Sequence, residues 1–492
     1  MNHHPFRPLS LFLLAATVAG SRPVAAQVQP SPPAPQPAST QPARSLPLSV
    51  PPGSFLGGVP SGELSATPLK ITVVAAISRA LEHNLGVLTA EQNLGRAQGV
   101  RWKMLGDLMP NVNGRVGETR QTLNLAAFGF AGGPGSPFGD VPSIVGPFNV
   151  FDARIFLSQS VFDLAALNTA RAEGHNVAAA RLMSRSARDY VIHVAGNLFV
   201  QALAASARAD AARAQQDTAR ALHQQALDLK QSGIIAGIDV LRAEVQLGSQ
   251  TQRTTNAVNE FEKAKLTLAR VIGLPLGQAF DLDPALPTLP AADLSIDTAV
   301  GIAYKTRPDY QAALERISAV EATRRSIVGD ALPSVKVDAN YGEIGLSPAD
   351  ARATFAVSGA VTVPIFNGGR TRGRLLEADA DIRNRKAEAE DLKASIYYEV
   401  RAAFLDMEST STQLALAGRI RDLANQQLTQ SRDRFAAGVG NNIEVVQAQD
   451  AVAAATEQFI TAQYGFDLAK GALVRGTGTS EDLLRQLLGG AR

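Results

Sequence analysis

The chain has 492 residues, no Cys and a formal net charge of +2, with 47 Lys and Arg against 45 Asp and Glu. The absence of Cys excludes disulfides, thiolate metal sites, a cysteine nucleophile and lipid attachment at an N-terminal cysteine, and the small net charge provides no field that would attract nucleic acid. Aromatic residues make up only 5% of the chain and there is one Trp, which is unlike the composition of an ordinary enzyme.

The first 26 residues have the pattern of a secretory signal peptide. Arg7 precedes an apolar stretch at 11–20, and small residues at 24–26 offer a cleavage site. The apolar stretch is shorter than the ~20 residues that a spanning helix needs. Residues 27–68 are rich in Pro, which predicts a flexible segment. Charges interrupt every later helical pattern, so no transmembrane helix is predicted and a membrane would have to be entered by strands.

Proline spacing and internal repeats divide the rest of the chain into two copies of one unit. Pro is absent from 127 residues after Pro147 and from the 128 residues that follow Pro364, as expected for long helices. Three pairs of segments align, at offsets of 205, 204 and 223 residues: 229–244 with 434–449, 160–173 with 364–379, and 83–113 with 306–336. We therefore predict a first repeat at 69–298 and a second at 299–492.

Each repeat combines a strand pair with a long helical hairpin. Period-two alternation predicts strands at about 111–123, 148–162, 334–345 and 353–366. They are long enough to cross a bilayer, although a sheet on a soluble core would alternate in the same way. The hairpins are predicted at 163–272 and 367–475. The first helix of each would be roughly 100 Å long, and the returning helix has the heptad spacing of an antiparallel coiled coil.

Four strands are too few to close a barrel, and open strand edges are not tolerated in lipid. Closure therefore requires several chains. The residue patterns alone predict an exported oligomer in which a short β-barrel carries a long α-helical stalk.

The segments that join these elements resemble those of the TolC family of outer membrane efflux proteins. The resemblance covers about residues 69–486. Its strongest motifs are VPIFNGGRTRGRL, LPSVKVDANYG, RFAAGVGNNIEVVQAQ and RPDYQAALERISAVEA. It implies a mainly α fold with a membrane β-barrel: a homotrimer with a twelve-stranded barrel, four strands from each protomer, in the outer membrane of a Gram-negative bacterium. It also implies a helical tunnel in the periplasm, with an equatorial belt from residues near 69–82, 274–300 and the segment after Gly476.

The resemblance further implies a passive exit duct of a tripartite efflux pump. Its partners would be a periplasmic adaptor, an inner-membrane pump and outer membrane lipid, with no cofactor and no nucleic acid. Type I protein secretion is the alternative within the family, and the cargo is not predicted. The residues alone leave open a coiled-coil envelope protein whose strands never enter lipid. A periplasmic hydrolase is disfavoured because no nucleophile–base constellation is found, and the dispersed histidines predict no metal site.

No residue is predicted to carry out catalysis. In the family, the tips of the helical hairpins form the periplasmic entrance and dock onto the adaptor. The matching residues here are Ser232, Gly233, Ile234, Ile235 and Ala236 in the first copy, with Ala437, Gly438, Val439, Gly440 and Asn441 in the second. The glycines also have a plain structural reading, since they let the backbone adopt turn geometry.

Three polar residues beside the tips are candidates for a pore constriction or gate: Glu444, Gln447 and Asp239. The family commonly has two pore-facing acids in the second tip; Glu444 falls on the first position, and Gln447 replaces the second. Three Glu444 side chains around a threefold axis would attract cations, although the helix dipole favours an acid there in any case. Asp239 is the first-copy equivalent, in a hairpin expected to pack outside. Gly440 replaces a basic residue often found in the family, so no gating salt bridge is predicted from that position.

Five residues are predicted to mark the junction between barrel and tunnel: Pro110, Pro333, Pro364, Gly368 and Gly369. The first two would end a helix and begin a strand. Pro364 would lie at the end of the last strand, where ladder bonding stops. The matching segment at 160–173 has neither the proline nor the glycines, so we expect the second copy to bend more sharply.

Overall fold

The structure is a computed structural model that describes residues 52–128, 142–287, 295–437, 439–440 and 442–489. The predicted signal peptide and the tip residues Gly438 and Asn441 lie outside the described residues. The strands are β1 (Leu69–Ile71), β2 (Asn111–Asn124), β3 (Ile144–Phe162), β4 (Phe280–Leu282), β5 (Ser334–Gly345) and β6 (Arg352–Thr362). The helices are α1 (Val73–His83), α2 (Leu85–Gly106), α3 (Leu164–Gln231), α4 (Gly237–Val271), α5 (Ile296–Thr306), α6 (Pro308–Gly329), α7 (Arg370–Ala436), α8 (Asn442–Gly476) and α9 (Ser480–Gly489).

The helices occur as two series of matched length. Helices α1 and α5 have 11 residues each, α2 and α6 have 22, and α4 and α8 have 35, while α3 has 68 and α7 has 67. Such a match is what an internal duplication produces. The mainly α fold with two strand pairs, predicted from the sequence, is confirmed.

The longer strands form one sheet in the order β2-β3-β5-β6. Apolar side chains on β6 are exposed at alternate positions, including Phe355 at 77%, Val357 at 71% and Val361 at 66%. One compact unit comprises the described parts of Arg115–Arg154 and Gly342–Thr354. In this unit Gly342 has a φ of +158°, and a Cβ there would lie 2.1 Å from the carbonyl oxygen of Ala153, so the strands approach too closely for any side chain.

The second unit contains the helices and has its largest apolar core where α1, α3 and α4 meet. Phe199, Leu268 and Ile272 are fully buried in this core. Burial of one such side chain contributes about 1.5 to 3 kcal/mol. A pair of three-residue strands, β1 and β4, runs in parallel beside this core, with Leu69 opposite Phe280.

Residues 52–67, assigned by the sequence pattern to a flexible segment, pack against the same helical unit. Phe55 lies on the apolar core, and its carbonyl oxygen accepts a hydrogen bond of 2.9 Å from Nδ2 of Asn84. The N–H of Val59 donates to the carbonyl oxygen of His83 at 2.8 Å. The predicted flexible segment therefore does not extend to residue 68.

One described helix, α3, is apolar enough over an 18-residue stretch to cross a membrane by length and composition. The prediction that charges interrupt every long helical pattern does not hold for this stretch. However, 44% of it is buried inside the protein, and α3 packs along α2, α4, α6 and α8. Its apolar surface is thus used in contacts with other helices.

The two strand-to-helix junctions differ in length. In the first copy, Asp163 is the only residue between β3 and α3. Its side chain caps the helix by accepting a hydrogen bond of 2.9 Å from the N–H of Ala166. In the second copy β6 ends at Thr362, because Pro364 has no N–H for the ladder, and seven residues precede α7. Gly368 and Gly369 adopt φ values of +64° and +80°. The strand predicted to continue to residue 366 therefore ends four residues earlier, and the sharper bend in the second copy stays a prediction.

The prolines at the other two junctions lie directly before strands. Pro110 precedes β2 and Pro333 precedes β5. In both cases the preceding helix has already ended at a glycine, three residues or more upstream. A role of these positions at the boundary between barrel and tunnel stays a prediction.

Candidate functional site: the tips of the helical hairpins

The first tip is a glycine-dependent turn between α3 and α4. Gly233 has a φ of +73° and its N–H donates to the carbonyl oxygen of Lys230 at 3.0 Å, while the N–H of Ile234 donates to that of Leu229 at 2.9 Å. This arrangement satisfies the last carbonyl groups of α3. Ser232 adds a hydrogen bond of 3.0 Å from its Oγ to the carbonyl oxygen of Asp228.

The apolar residues of the first tip face different surroundings. Ile234 is 65% exposed, and Ala236 is exposed as well. Ile235 packs against a small apolar cluster that includes Val240 and Ala243 of α4. The turn thus holds one isoleucine against the hairpin and presents the other to the outside.

The second tip is closed by two hydrogen bonds to one carbonyl group. The N–H groups of Val439 and Gly440 both donate to the carbonyl oxygen of Arg434, at 3.1 and 3.0 Å. A Cβ at Gly440 would lie 3.1 Å from the Arg434 backbone, so the glycine permits a close approach. Val439 is 70% exposed, and Ala437 is exposed too. Each tip therefore presents one prominent aliphatic side chain.

The two equivalent acids of the tips have different ionic partners. Glu444, in the first turn of α8, lies with Oε2 3.6 Å from Nε of Arg434, near the end of α7. Asp239, in the first turn of α4, pairs with Arg242 of the same helix at 3.1 Å. Gln447 is exposed. The sequence prediction placed the missing basic residue at Gly440 and did not consider Arg434, which supplies a cation from the other side of the turn.

The geometry of the tips provides partly exposed charges, exposed aliphatic side chains and tight turns, which suit docking and ion attraction. Across the described ranges, no group of three or more His, Asp or Glu residues could hold a metal ion. The predicted pore and docking roles of the tip residues stay predictions at this point.

Comparisons with known proteins place this architecture in a family. A family model described as "Outer membrane efflux protein" matches residues 300–479, within the second repeat. The pyoverdine export outer membrane protein OpmQ of Pseudomonas putida is 24% identical over 419 residues, which cover 82% of this chain and 84% of that protein. The second repeat of the chain matches the outer membrane efflux protein family. The resemblance noted in the sequence is thereby confirmed.

Solved structures of outer membrane proteins share the fold. The CmeC outer membrane channel of Campylobacter jejuni superposes with a TM-score of 0.72 at 15% identity, over 88% of this chain and 94% of that one. The outer membrane protein VceC of Vibrio cholerae superposes with a TM-score of 0.69 at 17% identity, over 82% of this chain and 96% of that one.

The match to outer membrane efflux proteins indicates the class of activity. Proteins of this family are channels rather than enzymes. The chain is an outer membrane protein that serves as an exit duct for efflux.

Proposed function

We propose that three copies of this chain form the outer membrane duct of a tripartite efflux pump, open to a periplasmic adaptor at the helical tips. Substrates pass through it without chemical change, and the inner-membrane pump supplies the energy. The observation that carries the proposal is an unmatched helix surface. Helices α2 and α6 are repeat equivalents, yet they have different numbers of neighbours in the chain.

Helix α6 lies between two long helices, since it packs along both α3 and α7. Helix α2 packs along α3, and in the described part of the chain it makes no comparable contact with another long helix. Because the repeats are equivalent, the neighbour missing from α2 corresponds to α7 of another copy. A contact of this head-to-tail kind joins copies into a closed ring when the rotation between neighbouring copies closes. The number three comes from homologous efflux channels, which work as trimers.

The same ring joins the open edges of the sheet. Strands β2 and β6 are the outer strands of the sheet in one chain. Three copies would supply twelve strands and leave no unpaired edge in lipid. The alternating exposed apolar side chains of β6 would face the acyl chains.

The relative named for pyoverdine export favours small-molecule efflux over type I protein secretion. The decisive test is expression of the full chain in a Gram-negative host that lacks its own efflux ducts. We expect heat-stable trimers in the outer membrane fraction and stable conductance in planar bilayers. A monomer recovered from the soluble periplasmic fraction would refute the proposal.

The exposed aliphatic residues of the tips test adaptor docking. The double variant Ile234→Asp, Val439→Asp places charges where we expect an apolar contact, and should reduce adaptor cross-linking at least tenfold. Conductance and trimer formation should stay unchanged, because these side chains are 65% and 70% exposed in the chain. Leu64→Asp is the control, since Leu64 is also 65% exposed but lies outside the hairpins. Equal cross-linking in the double variant and the control would refute docking at the tips.

Glu444 tests the proposed constriction. Glu444→Gln removes one negative charge per protomer, so we expect weaker block by multivalent cations and an altered single-channel conductance in planar bilayers. Asp239→Asn is a matched control, because Asp239 occupies the equivalent place in the other tip. Identical effects of the two substitutions would show that Glu444 has no special place in the pore.

A further inference from the structure

A buried carboxyl group on α3 contacts the first turn of the C-terminal helix α9. Asp189 is only 9% exposed, and its carboxylate accepts a hydrogen bond from the backbone N–H of Glu481. Among the described residues, Oδ1 of Asp189 has no hydrogen-bond partner. Asp189 also lines a cavity of about 280 Å³, together with residues of α2, of the beginning of α6 and of the end of α8. The site is a buried acid, partly unsatisfied, at the base of a docked helix.

The charges that act on this carboxyl group are negative: those of Glu481, Asp482 and Asp309. Glu481 and Asp482 lie in the first turn of α9, and Asp309 lies in the first turn of α6. The charged or titratable groups that face Asp189 from the elements around it are Glu91 of α2, Arg188, Tyr190 and His193 of α3, Arg307 and Asp309 at the start of α6, Glu399 of α7, Arg475 of α8, and Glu481, Asp482 and Arg485 of α9.

The cations in this set have other partners. Arg188 lies 3.5 Å from Glu481 and 4.0 Å from Glu91. Arg475 lies over the ring of Tyr190, 4.8 Å from its centre. Arg307 holds Asp309 at 2.6 Å and Glu399 at 2.5 Å. None of these cations makes an ion pair with Asp189 in the described structure.

We propose that Asp189 is a pH-sensitive latch for the C-terminal helix: when its carboxyl group is neutral α9 docks firmly against α3, and when it is ionised the docking weakens. The latch depends on the contact between α3 and α9 in one chain, and therefore goes beyond the proposed assembly and is independent of it. The repeat supports a specific role, because the offsets of 204 and 205 place Lys393 or Ala394 opposite Asp189, and neither residue carries a carboxyl group.

The direction of the pH dependence follows from how tightly Asp189 binds its proton when α9 is docked and when it is released. Burial, followed by the charge of Glu481, raises the pKa of Asp189 to about 7 from an ordinary value of 3.8. Release of α9 exposes the carboxyl group to water and returns the pKa towards 3.8. The docked state therefore binds the proton more tightly. The contribution of the Asp189 proton to the docking of α9 is fully present below pH 3.8, is lost as the pH rises, and reaches its minimum above about pH 7. Between these two pH values the docking constant of α9 falls about tenfold per pH unit.

The neighbouring histidine does not produce this effect. Burial and the charge of Arg475 lower the pKa of His193 to about 4. His193 is therefore neutral through nearly all of the range in which Asp189 titrates. A pH dependence centred between 5 and 7 thus belongs to the carboxyl group.

A thiol-labelling experiment on the full-length protein tests the latch, since the chain has no Cys of its own. Leu484 of α9 is 5% exposed, so Leu484→Cys reacts with a maleimide only when α9 leaves α3. Gln486→Cys, at an exposed position, provides the reference rate at each pH and cancels the ionisation of the thiol. We expect the ratio of the two rates to rise about tenfold per unit between pH 5 and 7 and then to level off.

Two further substitutions decide the origin of this pH dependence. Asp189→Asn should give a ratio that does not change with pH. Asp482→Asn removes a charge from a 70% exposed side chain, which should not disturb folding, and should shift the midpoint to lower pH. A pH-independent ratio in the parent, or the same slope in the parent and in Asp189→Asn, would overturn the proposal. An unchanged midpoint in Asp482→Asn would also contradict it.

Discussion

Replacement of Arg307 by Ala should lower the free energy of unfolding of the helical unit by about 3 kcal/mol. Arg307 is 5% exposed and joins three helices: its backbone N–H bonds to Ala303 at the end of α5, and its guanidinium binds Asp309 of α6 and Glu399 of α7. Burial opposes its charge, but hydrogen bonds and the charges of both acids outweigh this effect and raise its pKa. Loss of the guanidinium leaves two carboxylates without their partner.

The expected loss of unfolding free energy is at the lower end of the range for breaking a buried ion pair, because Glu399 is 40% exposed and water can solvate it. The measurement is guanidinium unfolding followed by circular dichroism. Arg374→Ala is the control. Its ion pair with Asp330 has the same 2.5 Å separation, but the side chains are 44% and 37% exposed, so we expect a loss below about 1 kcal/mol. Equal losses in the two variants would show that burial of Arg307 does not matter.

Arg307 illustrates what the sequence pattern could not predict. Arginines spaced between acids along helices are typical of a solvated face, and most of them here fit that description. The internal repeat does indicate that this position is buried, because the residue equivalent to Arg307 in the first copy is Asn84, which is also buried. Both residues lie between two consecutive helices. The identity of the partners, however, depends on packing between α6 and α7, which no local pattern contains.

The long elements were predictable because their signals extend over many residues. Absence of proline and heptad spacing predicted α3, α4, α7 and α8, and alternation predicted the strands of the larger sheet. The parallel pair β1 and β4 was missed, since three residues are too few for a period to be visible. The early end of β6 was missed because apolar residues continue to Phe366, beyond the last ladder hydrogen bond.

The tips were located from the repeat, but their chemistry was only partly predictable. Glycine and the position of Glu444 could be read from the aligned segments. The ion pair between Glu444 and Arg434 depends on how the turn folds back on α7, which is set by the hydrogen bonds of Val439 and Gly440. The contact of Asp189 with α9 is similarly a matter of tertiary packing.

Gly106 should be essential for assembly although it makes no close contact within the chain. Its repeat equivalent on α6, Gly329, lies against the beginning of α3, where a Cβ would be 2.6 Å from the backbone nitrogen of Ala165. A Cβ at Gly106 meets nothing within 4 Å in the chain. If α7 of a neighbouring copy lies beside α2, its first turn approaches Gly106 as α3 approaches Gly329. The glycine is then required by a contact with a second copy, which the structure of a single chain does not contain.

We therefore expect Gly106→Ala to reduce the fraction of heat-stable trimer sharply and Gly106→Leu to abolish it. The isolated chain should not be destabilised, because alanine in a helix is favoured over glycine by about 1 kcal/mol. Gly99→Ala is the matched control on the same helix. Its repeat equivalent is Ala322, which is fully buried with its methyl group in place, so the corresponding contact between copies accommodates a Cβ. Unimpaired trimers in both Gly106 variants would show that α2 does not face α7 of a second copy, and the ring inferred from the repeats would then have to close through a different surface.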